Sequence, residues 1–270
     1  FLKGFKHILP AFIVNWPMWL RNDYRYMLAY CDKFGLDPHT QMPYIFDKIP
    51  VAVNLPAIAI VLVLTLLLIK GVKESTRVAS IMVGVNMFMI LSFILVGAFY
   101  VKPENWTPFS PNGFEGVFMG AFLIFFAYIG FDALATAAEE CKNPQKDLPV
   151  GIIGSLVITT IVYVLVALVL TGMQDTASSV PAAFLKAPMA YCMSIAKQNW
   201  AAGLISVGSL AGLTSVLLVL EMAATRILYA MSRDHFISQR FQKLHPKFHT
   251  PALLTWTVGI LAVVGILTLN

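Results

Sequence analysis

Charge is what this sequence has least of: 12% of its 270 residues are Asp, Glu, Lys or Arg, where ordinary soluble domains carry roughly a quarter. A chain so poor in charge and 58% hydrophobic cannot keep a water-facing surface, which excludes a soluble globular domain and places it in a bilayer. Cysteine is scarce too. Cys31, Cys141 and Cys192 show neither zinc-ligand spacing nor a disulfide framework, so they read as inert thiols, and no metal or cofactor is expected. The chain opens Phe1-Leu2-Lys3, without an initiator methionine or a charged segment ahead of a short apolar core. No signal peptide is legible, and the expectation is an internal stretch of a longer polypeptide. The apolar runs lack histidine and cysteine, which removes the usual bases and nucleophiles of a membrane-embedded enzyme, and no catalytic residue is assigned. The net charge of +5 raises nucleic acid as a partner, but the basic residues sit in short connections rather than on one face, so that partner is set aside.

What is present is six apolar runs of roughly 18 to 25 residues, the length a bilayer demands, at about 52–69, 78–100, 114–138, 149–172, 200–225 and 251–269. Residues 1–51 read as the end of a preceding span and an extracellular loop with interfacial helices, Trp16, Trp19 and the tyrosines suiting the headgroup region. The predicted fold class is therefore an all-α integral membrane bundle, with 52–270 one domain of six spans. One alternating set of connections holds Lys70, Lys73, Arg77, Lys142, Lys146, Arg226, Arg233, Arg240, Lys243 and Lys247. The other, residues 1–50 aside, holds Lys102, Lys186 and Lys197. The positive-inside bias makes the first set cytoplasmic in a multi-pass protein of the cell membrane.

The stretch from Phe125 to Pro149 stands out. An apolar helix is interrupted at Tyr128-Ile129-Gly130, Asp132 follows inside the hydrophobic region, and a charged loop ends it. Phe114 to Ala127 reads as one half-helix and Asp132 to Glu140 as the other. The first half ends in carbonyls without intrahelical partners, at the negative end of the dipole. Those of Phe126, Ala127 and Ile129 suit an ammonium group, as in the discontinuous helices of secondary transporters. A glycine kink packed against a neighbour explains the same residues, and both explanations stay open here. Asp132 suits an N-cap for the second half and a wet cavity.

Other spans carry isolated polar groups. Asn86 reads as a buried amide bonding across to a neighbour. Gly203, Ser206, Gly208, Ser209, Gly212, Thr214 and Ser215 mean close helix packing, with Thr214 and Ser215 also suited to an ion-sized pocket. Glu221 is a proton carrier if it lies deep. Its proximity to the basic loop favours snorkelling or pairing with a loop cation, although Arg226 does not share its helix face. Asp147-Leu148-Pro149 predicts a capping carboxylate and a proline in the first turn of the fourth span. His235, His245 and His249 fit no metal motif.

The run FFAYIGFDALATAAEECKNPQKDLPVGI, with NLPAIAI followed by GVKES, then GLTS and RILYAMSRD, resembles the cationic amino acid transporter branch of the amino acid, polyamine and organocation superfamily over most of residues 50–251. The resemblance implies a five-plus-five inverted-repeat helical bundle with a discontinuous helix, this chain running from the end of the third helix through the ninth. The first helix, which in the family binds the substrate carboxylate, is then missing, and the remaining helices of the full transporter become partners. Carried over by position, Phe126, Ala127 and Ile129 supply carbonyls to the substrate α-amino group. Gly130 and Phe131 belong to the same break, and Asp132 is the aspartate after it. Proton-coupled relatives carry lysine where Asn86 stands. Asparagine cannot titrate, so either the protein is a facilitator or proton coupling lies elsewhere, with Glu221, Thr214 and Ser215 as candidates. His235 replaces the glycine usual in the relatives' turn. The implied function is alternating-access transport of amino acids, cationic or broad in range. The alternatives are a sensor that binds amino acids or polyamines without moving them, a channel, and an exchanger of polyamines or other organocations.

Overall fold

The computed structural model describes residues 17–22, 24–37, 41–45, 49–50, 54–130, 141, 143–174, 180–248 and 250–268. Phe131, Asp132, the half-helix expected over 132–140, Lys142 and His249 lie outside the described residues. In chain order the helices are α1 (Met18–Arg21), α2 (Tyr24–Phe34), α3 (Leu55–Lys70), α4 (Val72–Ala98), α5 (Gly113–Phe125), α6 (Pro144–Met173), α7 (Ala182–Lys186), α8 (Pro188–Ile195), α9 (Asn199–Arg233) and α10 (Ala252–Thr268). A two-residue antiparallel pairing of Tyr44–Ile45 with Ile49–Pro50 is the one departure from helix among the described elements. By length and hydropathy α4, α6 and α9 are fit to cross a membrane, while α3, α5 with its extension to Tyr128, and α10 are shorter apolar helices.

Two compact units emerge, Ala79–Val216 on one side and Leu2–Val78 with Leu217–Asn270 on the other. In the second unit α3 begins where Asn54 Oδ1 accepts the Ala57 N–H at 3.2 Å, with Pro56 in the first turn. A connection was expected over residues 70–75, yet only Gly71 separates α3 from α4. Glycine alone tolerates its φ of +150°. The Ser75 hydroxyl then lies within reach of two carbonyls, Leu67 at 3.1 Å and Gly71 at 2.9 Å, tying the two helices. Helix α10 packs on α3, and Thr250 donates to the Ile69 carbonyl at 2.8 Å.

In the first unit α6 starts at Pro144, earlier than expected. Asp147 is not its N-cap: that place is Asn143, whose backbone N–H donates to Asp147 Oδ2 at 3.2 Å. Pro149 accordingly falls inside the helix. The connection expected between 172 and 199 contains α7 and α8. Cys192 and Met193 of α8 join Phe93, Val169, Ala201 and Ile205 in the core of this unit. Burial pushes the Cys192 thiol up to about 11, which keeps it an inert thiol. Helix α9 runs past its expected end near 225 to Arg233. It closes in a Schellman motif, with the His235 N–H on Ser232 (3.2 Å) and the Phe236 N–H on Met231 (2.9 Å). His235 takes the left-handed position at φ +63°.

Candidate functional site

The interruption read from Tyr128-Ile129-Gly130 is present. Helix α5 ends at Phe125, Phe126–Tyr128 tightens into one 3₁₀ turn, and Ile129 turns extended at φ −62°, ψ 133°. Gly130 follows at φ +143°, a backbone that side chains with a Cβ rarely adopt. This geometry leaves the C-terminal carbonyls of α5 without their next helical turn. The Phe126 carbonyl takes the Ile129 N–H at 3.3 Å, and the Ala127 carbonyl takes the Tyr163 hydroxyl at 3.4 Å. Each oxygen has a second lone pair for a ligand.

Beside the break lies a cleft of about 240 Å³ lined by Ala127, Tyr128, Ile129, Gly130, Ser155, Leu156, Thr159 and Tyr163. Helix α6 supplies its far wall. Tyr128 and Thr160 oxygens are 3.0 Å apart, Thr160 donates to Leu156 at 2.7 Å, and the Tyr128 and Tyr163 rings meet edge to face at 5.5 Å. Of the predicted substrate residues, the structure gathers Ala127, Ile129 and Gly130 around the cleft and puts Phe126 in the turn that shapes it, while Phe131 and Asp132 are outside the described residues. Tyr128, Ser155, Thr159 and Tyr163 were missed. Ser155, Thr159 and Tyr163 recur at i, i+4 and i+8, a hydroxyl stripe on one helix face that was available in the sequence.

The other candidates fall elsewhere. Asn86 is half-buried on α4, with its amide against α9. A Cβ on Gly212 would come within 2.8 Å of Asn86 Nδ2, and one on Gly208 would strike Met89. A cavity of about 10 Å³ beside it, also lined by Met89, Ile90, Met189, Ile205 and Ser209, is about the size one water requires. Thr214 and Ser215 donate within their own helix, to Leu210 and Gly212, each at 2.8 Å. Glu221 corrects its expectation. It does not snorkel to the basic loop: it is 9% exposed, three turns before the end of α9, and its Oε1 lies 2.6 Å from Thr65 Oγ1 on α3. The helix continues to Arg233, so residue 221 lies further from its end than a span ending near 225 would put it. Among the described residues no group of His, Cys, Asp and Glu is placed to hold a metal.

A family model described as "Amino acid permease" matches residues 11–270. The chain is 44% identical to a branched-chain amino acid permease of Bacillus subtilis, over 94% of this chain and 57% of that protein. It is 47% identical to a methylthioribose transporter of Bacillus subtilis, over 77% and 44% respectively. It is 43% identical to the chloroplastic cationic amino acid transporter 9 of Arabidopsis thaliana, over 72% and 34%. The chain thus spans about half the length of the curated relatives it matches.

Proposed function

The chain belongs to the amino acid permease family, and from that premise we propose that the protein is a broad-range secondary transporter of amino acids that works by alternating access. It is a multi-pass membrane protein; the finer reading is six spans in the cell membrane with the basic connections cytoplasmic. The observation that carries the proposal is the interrupted end of α5, whose Ala127 carbonyl and Ile129 border a cleft of about 240 Å³. Carbonyls at a helix C-terminus carry partial negative charge and receive the substrate ammonium, with Phe126, Ala127 and Ile129 as contacts and Gly130 holding the break open. The described lining is uncharged, which supports aliphatic and small polar side chains. Cationic substrates enter the range through the likeness to the chloroplastic transporter.

The test is the full-length protein in proteoliposomes, offered labelled Leu, Ala, Arg and Lys. Saturable uptake with counterflow is expected. Absence of both defeats the assignment, binding without flux identifies a sensor, and flux that neither saturates nor exchanges identifies a channel.

A further inference from the structure

Glu221 is the group that the cleft does not use. It sits on α9 beside α3, and Thr65 Oγ1 lies 2.6 Å from its carboxyl and 2.9 Å from the Val61 carbonyl. A hydroxyl has one proton and cannot donate to both oxygens. If the Thr65 proton goes to Val61, the 2.6 Å contact needs a proton from Glu221, and the carboxyl is neutral. If Glu221 is ionised, Thr65 must turn its proton to the carboxylate and release Val61. Two protonation states therefore map onto two hydrogen-bond arrangements of the same atoms. Gly259 of α10 packs closely on this side chain: a Cβ there would fall 2.9 Å from Thr65 Cγ2.

The surroundings hold no compensating charge at that depth among the described residues. The one charged residue of α3 is Lys70, at its exposed end, and α10 has none that titrates. The short helix α1, which touches α3, ends at Arg21. On α9 itself the nearest titratable groups are Arg226 and Tyr229, five and eight residues further on. At the start of α4, Lys73, Glu74 and Arg77 are exposed, with Glu74 and Arg77 3.6 Å apart. An ionised carboxylate buried among apolar helices costs several kcal/mol without a cation or several donors.

We propose, resting on the transporter reading above, that Glu221 is the proton-binding site of this transporter and that Thr65 is its positioning residue. Loading forms the Glu221 O–H bond with a proton from water and sends the Thr65 proton to Val61. Unloading breaks that bond, returns the proton to water and turns Thr65 back to the carboxylate. With Thr65 0% and Glu221 9% exposed, water reaches the pair only when α3 and α9 part, so proton exchange is tied to a conformational step.

The experiment compares labelled leucine accumulation and counterflow in proteoliposomes of the full-length protein, with and without an inward proton gradient. Wild type is expected to accumulate with the gradient. Glu221→Gln, which keeps size and hydrogen bonding but cannot ionise, should retain counterflow while gradient-driven accumulation falls about tenfold or more. Counterflow in the wild type without any response to the gradient, or accumulation by Glu221→Gln equal to wild type, overturns the proton site and leaves the transporter reading standing. Absence of both uptake and counterflow in the wild type overturns both. If Glu221→Gln fails to assemble, Thr65 decides. Thr65→Val should move the pH midpoint of uptake and Thr65→Ser should not, and a midpoint unchanged in both rules the proposal out.

Discussion

In the unit built from residues 2–78 and 217–270, buried polar side chains reach from one element to another: Thr65 to Glu221, Ser75 to Leu67 and Thr250 to Ile69. In residues 79–216 the hydroxyls of Ser92, Ser206, Ser209, Thr214 and Ser215 return to carbonyls of their own helices, and the side chains that do cross between elements, Asn105 and Trp106 to α6 and Tyr128 to Thr160, are exposed or half-buried. Close approaches through glycine occur in both units, Gly97 against Val169, Gly208 against Met89 and Gly212 against Asn86 here, and Gly259 against Thr65 in the other. Interhelical hydrogen bonds are directional and resist sliding, whereas small-residue faces hold by packing alone. The difference teaches where each kind of contact is useful. The unit of residues 2–78 and 217–270 ties its elements through buried side chains, whereas the unit of residues 79–216 leaves its crossing polar side chains exposed or half-buried and carries the open break and its cleft.

The sharpest way to break this contrast is at Gly130. Gly130→Ala places a Cβ on a backbone at φ +143°, a strain of about 1–3 kcal/mol, and is expected to lower saturable uptake by about tenfold or more and the thermal midpoint of the purified protein by about 2–4 °C for each kcal/mol. Thr250→Val probes the other unit. It strips the donor from the Ile69 carbonyl, one of the last four of α3 and without a helical partner, so unfolding should become easier by about 1–3 kcal/mol, read as a lower melting temperature. Gly212→Ala should cost about 1 kcal/mol by crowding Asn86, and adding Asn86→Ala should restore most of it. A double-mutant cycle without coupling would mean that the α4–α9 contact is not made through that amide. Smallest is His235→Gly, which relieves the left-handed C-terminal position of α9 and should raise stability by about 0.5–1 kcal/mol with transport unchanged.

Much of this was legible in the chain because it follows from local chemistry. The break was open to reading at Tyr128-Ile129-Gly130, where a glycine interrupts an apolar run, although a packing kink explained the same residues equally well. What was not legible depends on partners far along the chain. Glu221 looked like a loop-proximal acid because nothing near it reveals that Thr65, 156 positions away, meets its carboxyl. Helix α8 was passed over because eight apolar-rich residues are too few to span a bilayer, and its burial depends on Phe93 and Val169. The stripe of Ser155, Thr159 and Tyr163 was visible but indistinguishable from ordinary polar residues of a span until the break was set opposite it.

The hydroxyls around that break have a direction. Thr160 gives its proton to Leu156 at 2.7 Å, so Tyr128, 3.0 Å from Thr160, must give its own to Thr160. Ser155 gives its proton to Ile152 at 2.9 Å, and Tyr163 directs its proton toward Ala127. Three of the hydroxyls bordering the cleft, together with the carbonyls, therefore show a visiting molecule lone pairs rather than protons. Under the proposed transport reading, a zwitterion would dock its ammonium end against such a wall and find no donor there for its carboxylate, so its head-to-tail orientation would be read by the polarity of neutral groups.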